Sequence, residues 1–167
     1  GLDDGIDDRV SGFEGATLAG DRVVVSGLQA DLVVVGSDGT ELVRRPGGVG
    51  IPIGIVGGLV VLAGYDHAAA IGPTTGETAW VSSRTRPGSL VISDDTLWLL
   101  DAPAGTVSRL DPQTGDSLWT TPVGITNGFD VAVDASTAYI ATSLAMIALD
   151  LSTGELEWWQ HLPFEHS

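Results

Sequence analysis

The sequence predicts an all-β fold assembled from four four-stranded repeats, and three observations carry the prediction. A nine-residue phrase returns in step, as Gly72–Trp80, Asp111–Trp119 and Asp150–Trp158, with its tryptophans 39 positions apart. A second marker keeps the same phase: Asp21-Arg22, Gly58-Leu59, Asp95-Thr96 and Asp134-Ala135 each stand before an apolar run. Between these markers lie short β-branched and aliphatic runs, and no window shows a 3.6-residue period. A step near 40 residues marks a repeat architecture in which each unit needs its neighbours to bury its faces.

The first copy carries the weakest phrase, Ser37–Val43, with Gly39 in register and Val43 where the others have tryptophan. Its clearest strand is Val23–Ser26. In the second copy, Ile51–Val56 and Leu59–Ala63 flank a Gly57-Gly58 turn. That copy includes Pro46–Tyr65, an uncharged stretch of membrane-spanning length, but its glycines and prolines and the repeat register favour a hairpin over a transmembrane helix. The third copy divides into Ser89–Ile92, Thr96–Leu100, Thr106–Leu110 and Ser117–Thr121, and the fourth into Phe129–Val133, Thr137–Thr142, Ala145–Leu149 and Glu155–His161. The repeats then occupy about 11–46, 47–83, 84–122 and 123–161, between an acidic lead (1–10) and a tail (162–167). Repeats of this length holding four strands are blades of a β-propeller.

The phrase joins the third and fourth strands. Its turn glycine (Gly39, Gly76, Gly115 or Gly154) takes positive φ without steric cost. The acid that follows in the last three copies faces water, and Trp80, Trp119 and Trp158 return to the blade, where a large ring is expected to be buried between neighbours. The same phase gathers carboxylates at the turns joining strands one to two and three to four. It assigns Arg44, Arg45, Arg84 and Arg86 to links between blades.

Leu110–Trp119 and Leu149–Trp158 resemble the tryptophan-docking motif of quinoprotein-type (PQQ-like) β-propellers. The resemblance is strong in copies three and four, partial in two and weak in one. It implies a propeller of more than four blades, completed by a longer parent chain or by a second copy, unless four close alone. It also implies an extracytoplasmic location. The family includes quinone-dependent dehydrogenases and non-catalytic scaffolds. The dehydrogenases use Ca²⁺ held by carboxylate and amide oxygens, an Asp base and often a vicinal cysteine pair.

Composition narrows the choice. The 167 residues are 43% hydrophobic and carry a formal charge of −15, with seven arginines and no lysine. Such a balance opposes a nucleic-acid surface. With no cysteine there is neither a disulfide nor a thiolate metal site, and no vicinal pair to stand beside a quinone. His67, His161 and His166 lack ligand-spaced partners, and Asp3–Asp8 misses the EF-hand spacing. Gly48 and Gly50 lack the rest of a dinucleotide fingerprint, and no Gly-x-Ser-x-Gly elbow occurs. No catalytic, metal or cofactor residue can be named, and neither PQQ nor calcium is supported by matching residues. Asp66 and His67, in a turn between strands two and three, and Arg84 and Arg86 are the candidate binding loops. The sequence therefore favours a non-catalytic platform whose partner is a protein or another copy of itself. A fragment of a quinone-dependent dehydrogenase is the alternative. A third reading is a carbohydrate or small-ligand site using Trp98, Tyr65 and Tyr139 as stacking surfaces, although Trp98 sits within a second strand, where blade packing explains it equally well.

Overall fold

A computed structural model describes residues 14–28, 30–47, 50–83, 90–124, 130–142 and 144–162. Among these residues there is no helix, and sixteen strands form four antiparallel sheets. The first sheet holds β1 (Gly15–Ala19), β2 (Arg22–Ser26), β3 (Leu32–Gly36) and β4 (Glu41–Arg45). The second holds β5 (Ile51–Val56), β6 (Leu59–Ala63), β7 (Ala68–Ile71) and β8 (Thr78–Ser82). The third holds β9 (Leu90–Ser93), β10 (Thr96–Asp101), β11 (Thr106–Leu110) and β12 (Ser117–Pro122). The fourth holds β13 (Asp130–Val133), β14 (Thr137–Ala141), β15 (Ala145–Asp150) and β16 (Leu156–His161). In every sheet the strands follow one another in sequence order, the meander of a propeller blade. The uncharged stretch around Gly57-Gly58 is the β5–β6 hairpin. No helix among the described residues is long and apolar enough to cross a membrane.

The chain divides into two compact units, Gly1–Pro87 and Gly88–Ser167, each built on a pair of packed sheets. In the first unit, Ala19, Val24, Leu32 and Val34 pack on Val60, Leu62 and Ile71. The sheets approach so closely that a Cβ on Gly15 would lie 2.7 Å from Ile51 Cγ2. In the second unit, Trp98, Leu100 and Val107 pack on Val131, Ala138, Ile140, Ile147 and Leu149. Alternating apolar residues let one face of each strand reach its neighbour sheet, which is how these short strands hold together.

The turn phrase folds the same way each time. The amides of Gly76, Gly115 and Gly154 each donate to the carbonyl four residues back, at 2.8 Å. All three glycines are left-handed, with φ of 63°, 75° and 74°. The threonine before each glycine tightens the loop further, because the Thr75, Thr114 and Thr153 hydroxyls accept the amide of the acid that follows. The leading aspartates cap the same loop. Asp111 Oδ1 accepts the Gln113 amide at 2.8 Å, and Asp150 Oδ1 accepts the Ser152 and Thr153 amides at 2.9 and 2.8 Å. Asp134 likewise holds the Ser136 and Thr137 amides. Much of the acidity is thus turn chemistry. In the β9–β10 hairpin Asp94 and Asp95 themselves adopt positive φ, the requirement of a type I′ turn.

The Ser152 hydroxyl and the two backbone amides favour the ionised carboxylate, and they lower Asp150 from its ordinary 3.8 to about 2. A depressed folded value stabilises the fold above the unfolded value, and that contribution is lost as pH falls through the folded one. Between pH 4 and 2 the wild type is therefore expected to lose stability more steeply than Asp150→Asn in pH-dependent thermal melts. Parallel curves for the two proteins refute this role.

A bulge recurs in all four sheets where the third strand meets the fourth, leaving Leu42, Ala79, Leu118 or Glu157 as the extra residue. It resets the alternation, so the next residue (Val43, Trp80, Trp119 or Trp158) stands opposite Val34, Ala70, Arg109 or Ala148. The bulge therefore aims the ring. Arg44 and Arg45 fall within β4 and not in a link as expected. The strand runs on after the bulge, and Arg44 pairs with Asp31 at 3.1 Å and Glu41 at 2.6 Å. Arg84, Arg86, the acidic lead, Asp3–Asp8, Gly48, His166 and the strand starts at Ser89 and Phe129 lie outside the described residues.

Candidate functional site

Within the second unit, Trp119 of β12 forms a joint between sheets three and four. Its ring meets buried Trp98 edge to face, with centroids 5.5 Å apart and planes at 68°. Its Nε1 donates to the Leu151 carbonyl at 3.2 Å, and Arg109 Nη1 donates to the same oxygen at 2.8 Å. Thr121 Oγ1 donates to the Gly154 carbonyl at 2.5 Å. A Cβ on Gly154 would overlap the Trp119 ring, so glycine serves both the turn and the close approach. Within the first unit Val43 takes the equivalent place: its Cγ1 lies 3.0 Å from the position a Cβ on Gly76 would occupy, with Leu32 beside it. Trp80 is buried, Gly115 is half-buried and Gly39 is exposed.

Trp158 departs from the expectation of burial: it is 42% exposed. It lies beside half-buried Tyr139, with centroids 6.2 Å apart and planes at 48°. Tyr139 Oη in turn donates to Asp134 at 2.9 Å. Of the two readings of Trp98, blade packing holds and ligand stacking does not. It is fully buried, its Nε1 donates to Thr96 Oγ1 at 2.7 Å, and Trp119 covers it, so no sugar can reach its face. Tyr65 is exposed. Asp66 and His67 form a turn contact, Oδ1 to Nδ1 at 2.9 Å, and the hydrogen bond from His67 holds the Asp66 carboxyl below its ordinary value. The His67 ring lies against Gly64, whose amide donates to the His67 carbonyl.

An apolar feature of the second unit was not read from the sequence. A cavity of about 350 Å³ opens beside β16, lined among others by Pro122, Val123, Leu144, Ile147, Trp159 and His161. β16 alternates, so Trp159 pairs with Ile147 and faces the cavity, whereas Trp158 pairs with Ala148 and faces the other way. Two adjacent tryptophans in a strand must point to opposite faces, and that was the available signal. Trp159 is 61% exposed and Leu144 is exposed at the rim. His161 is the one titratable side chain in the wall.

No group of three or more His, Asp or Glu able to hold a metal ion occurs among the described residues. The cavity wall is apolar and carries no carboxylate. This donor set does not fit a quinone held with calcium.

A family model described as outer membrane protein assembly factor BamB matches residues 103–166. Among solved structures, BamB from Moraxella catarrhalis is 20% identical with a TM-score of 0.69, over 90% of this chain and 50% of that one. AztD from Citrobacter koseri, in its apo form, is 16% identical with a TM-score of 0.64, over 89% and 46%. A quinohemoprotein alcohol dehydrogenase from Comamonas testosteroni is 16% identical with a TM-score of 0.61, over 89% and 35%. No curated protein sequence matches the chain. The chain spans about half the length of the first two structures. At these identities the likeness is one of fold, and it makes the four sheets propeller blades.

Proposed function

We propose that this chain, whose blades are similar to those of the quinoprotein-type (PQQ-like) β-propeller repeat family, is a non-catalytic propeller platform that docks a protein segment, outside the cytoplasm. The observation that carries the reading is the apolar cavity against the outer strand β16, with Trp159 on its wall. Strand β16 is the last of its sheet, so its outer edge carries backbone groups available for pairing. Two of the other outer strands are blunted, β4 by Glu41, Arg44 and Arg45 and β12 by Pro122, whereas β8 carries neither charge nor proline. Between Leu156 and His161 the one acidic residue is Glu157. An extended segment added along β16 would place an apolar side chain in the cavity. The family model's description as an outer membrane protein assembly factor supports both the partner class and the location.

A synthetic extended peptide of alternating leucine and threonine tests the reading. It is expected to bind saturably and to perturb the β16 amide resonances. Trp159→Ser and Leu144→Ser should each weaken binding by about tenfold, the effect of losing an apolar anchor. Unchanged affinity in both variants removes the site.

The platform works without a quinone or calcium. Adding pyrroloquinoline quinone with Ca²⁺ is expected to leave the melting temperature unchanged. A saturable rise would restore the dehydrogenase alternative.

A further inference from the structure

Docking along β16 would bring one titratable wall group under cover, and that group is His161. In β16, Trp159 and His161 stand opposite Ile147 and Ala145 and face the cavity, whereas Trp158 and Gln160 face the other way. His161 is exposed, so water solvates its ring in either charge state. A segment paired along the outer edge of β16 would run beside that ring and displace the water.

What the ring meets once covered depends on its charge. A neutral imidazole carries one N–H and one acceptor, whereas imidazolium carries two N–H groups and a full charge. The cavity offers that charge no partner. Thr121 and Pro122 of β12, then Val123, line one side, and Leu144, Ala145, Ile147 and Leu149 line another. None of these side chains titrates. The Thr121 hydroxyl is committed to the Gly154 carbonyl. The carbonyls at this end of β15 are occupied as well: Ala145 accepts the Thr142 amide and hydroxyl, and Leu144 accepts the Leu162 amide. Glu157 shares the strand, but its Oε2 accepts from Thr137 Oγ1 of β14 at 3.4 Å, and Glu155 precedes the strand's far end. Covering an unpaired charge costs more than covering the neutral ring.

We propose that the charge of His161 gates the docking site, which holds an apolar extended segment while the imidazole is neutral and releases it when the ring is protonated. The inference deepens the docking reading of this cavity and rests on it. Imidazole is the side chain whose ordinary titration falls between pH 5 and 8. The protonated form is the one the complex disfavours, so affinity falls as pH falls.

The alternating leucine–threonine peptide, acetylated and amidated so that it carries no titratable group, tests the gate. Its Kd is measured at about pH 7.5 and about pH 5.5 at one ionic strength, near 0.15 M. Both lie above the sequence pI of about 4.1, so the chain keeps its negative sign. The Kd is expected to rise about fivefold at the lower pH, the effect of a charged ring that binds about tenfold more weakly than the neutral one. In His161→Gln the two Kd values should be equal to each other. His166→Gln should retain the fivefold change.

Binding of equal strength at the two pH values in the wild type overturns the gate and leaves the docking reading standing. Tighter binding at pH 5.5 also overturns it, as does a pH dependence that survives His161→Gln or disappears in His166→Gln. No binding at either pH removes the docking reading and the gate with it. Should His161→Gln unfold, the wild type decides by proton resonance: saturating peptide must lower the pH at which the His161 ring titrates.

Discussion

Replacing Trp119 by alanine is expected to destabilise the second unit by about 3 kcal/mol, near the lower bound for removing a tryptophan from a packed site. The lower bound applies because the ring is half-buried. The loss has separable parts. Most of it is apolar: the edge-to-face contact with Trp98 and the cover over Gly154 both disappear. The Leu151 carbonyl keeps its bond from Arg109, so no acceptor is orphaned. Trp119→Phe retains a ring and removes the N–H, and should cost only about 1 kcal/mol. Denaturant titrations monitored by circular dichroism rank the three proteins. A Trp119→Ala cost under about 0.5 kcal/mol would place the ring among ordinary surface side chains.

The second large effect lies across the same contact. Gly154→Ala is expected to cost about 2–4 kcal/mol, combining left-handed strain of about 1 kcal/mol with overpacking against the Trp119 ring. Gly39→Ala carries the same backbone strain, at φ of 83°, but meets nothing within 4 Å. Gly39→Ala should therefore cost only about 1 kcal/mol. The difference between the two substitutions isolates the close approach of ring to backbone. Equal costs would mean that the turn conformation alone requires glycine at Gly154. In a Trp119→Ala background the Gly154→Ala cost should fall toward that of Gly39→Ala, because the clashing partner is gone.

How far the fold could be read depended on what repeats. The phase of Gly76, Gly115 and Gly154, and of Trp80, Trp119 and Trp158, located the strands to within a residue or two. Turn chemistry and β-branched runs are local, and local rules survive in sequence. Trp98 stayed open between blade packing and ligand stacking for the opposite reason. Its position in a second strand was clear, but whether a neighbour covers it depends on residues far along the chain. The bulges were invisible as well. Leu42, Ala79, Leu118 and Glu157 share no chemistry, because a bulge is a count of residues between two fixed pairings and not a preference for a side chain.

The candidate site divides along the same line. The doublet Trp158-Trp159 was plain in the sequence, and strand alternation alone sends its two rings to opposite faces. Which ring borders a cavity, and which lies open beside Tyr139, came from the packing of β12 against β15 and β16. Asp66 and His67 stood out as a polar pair, yet folding satisfies them with each other and with Gly64. Repeat length, strand order and turn type thus follow from contacts within some forty residues, where the chain's own spacing suffices. Burial of Trp98, exposure of Trp158 and the open space around Gly39 depend on which sheet lies against which. That is a relation between distant segments, and no local pattern encodes it.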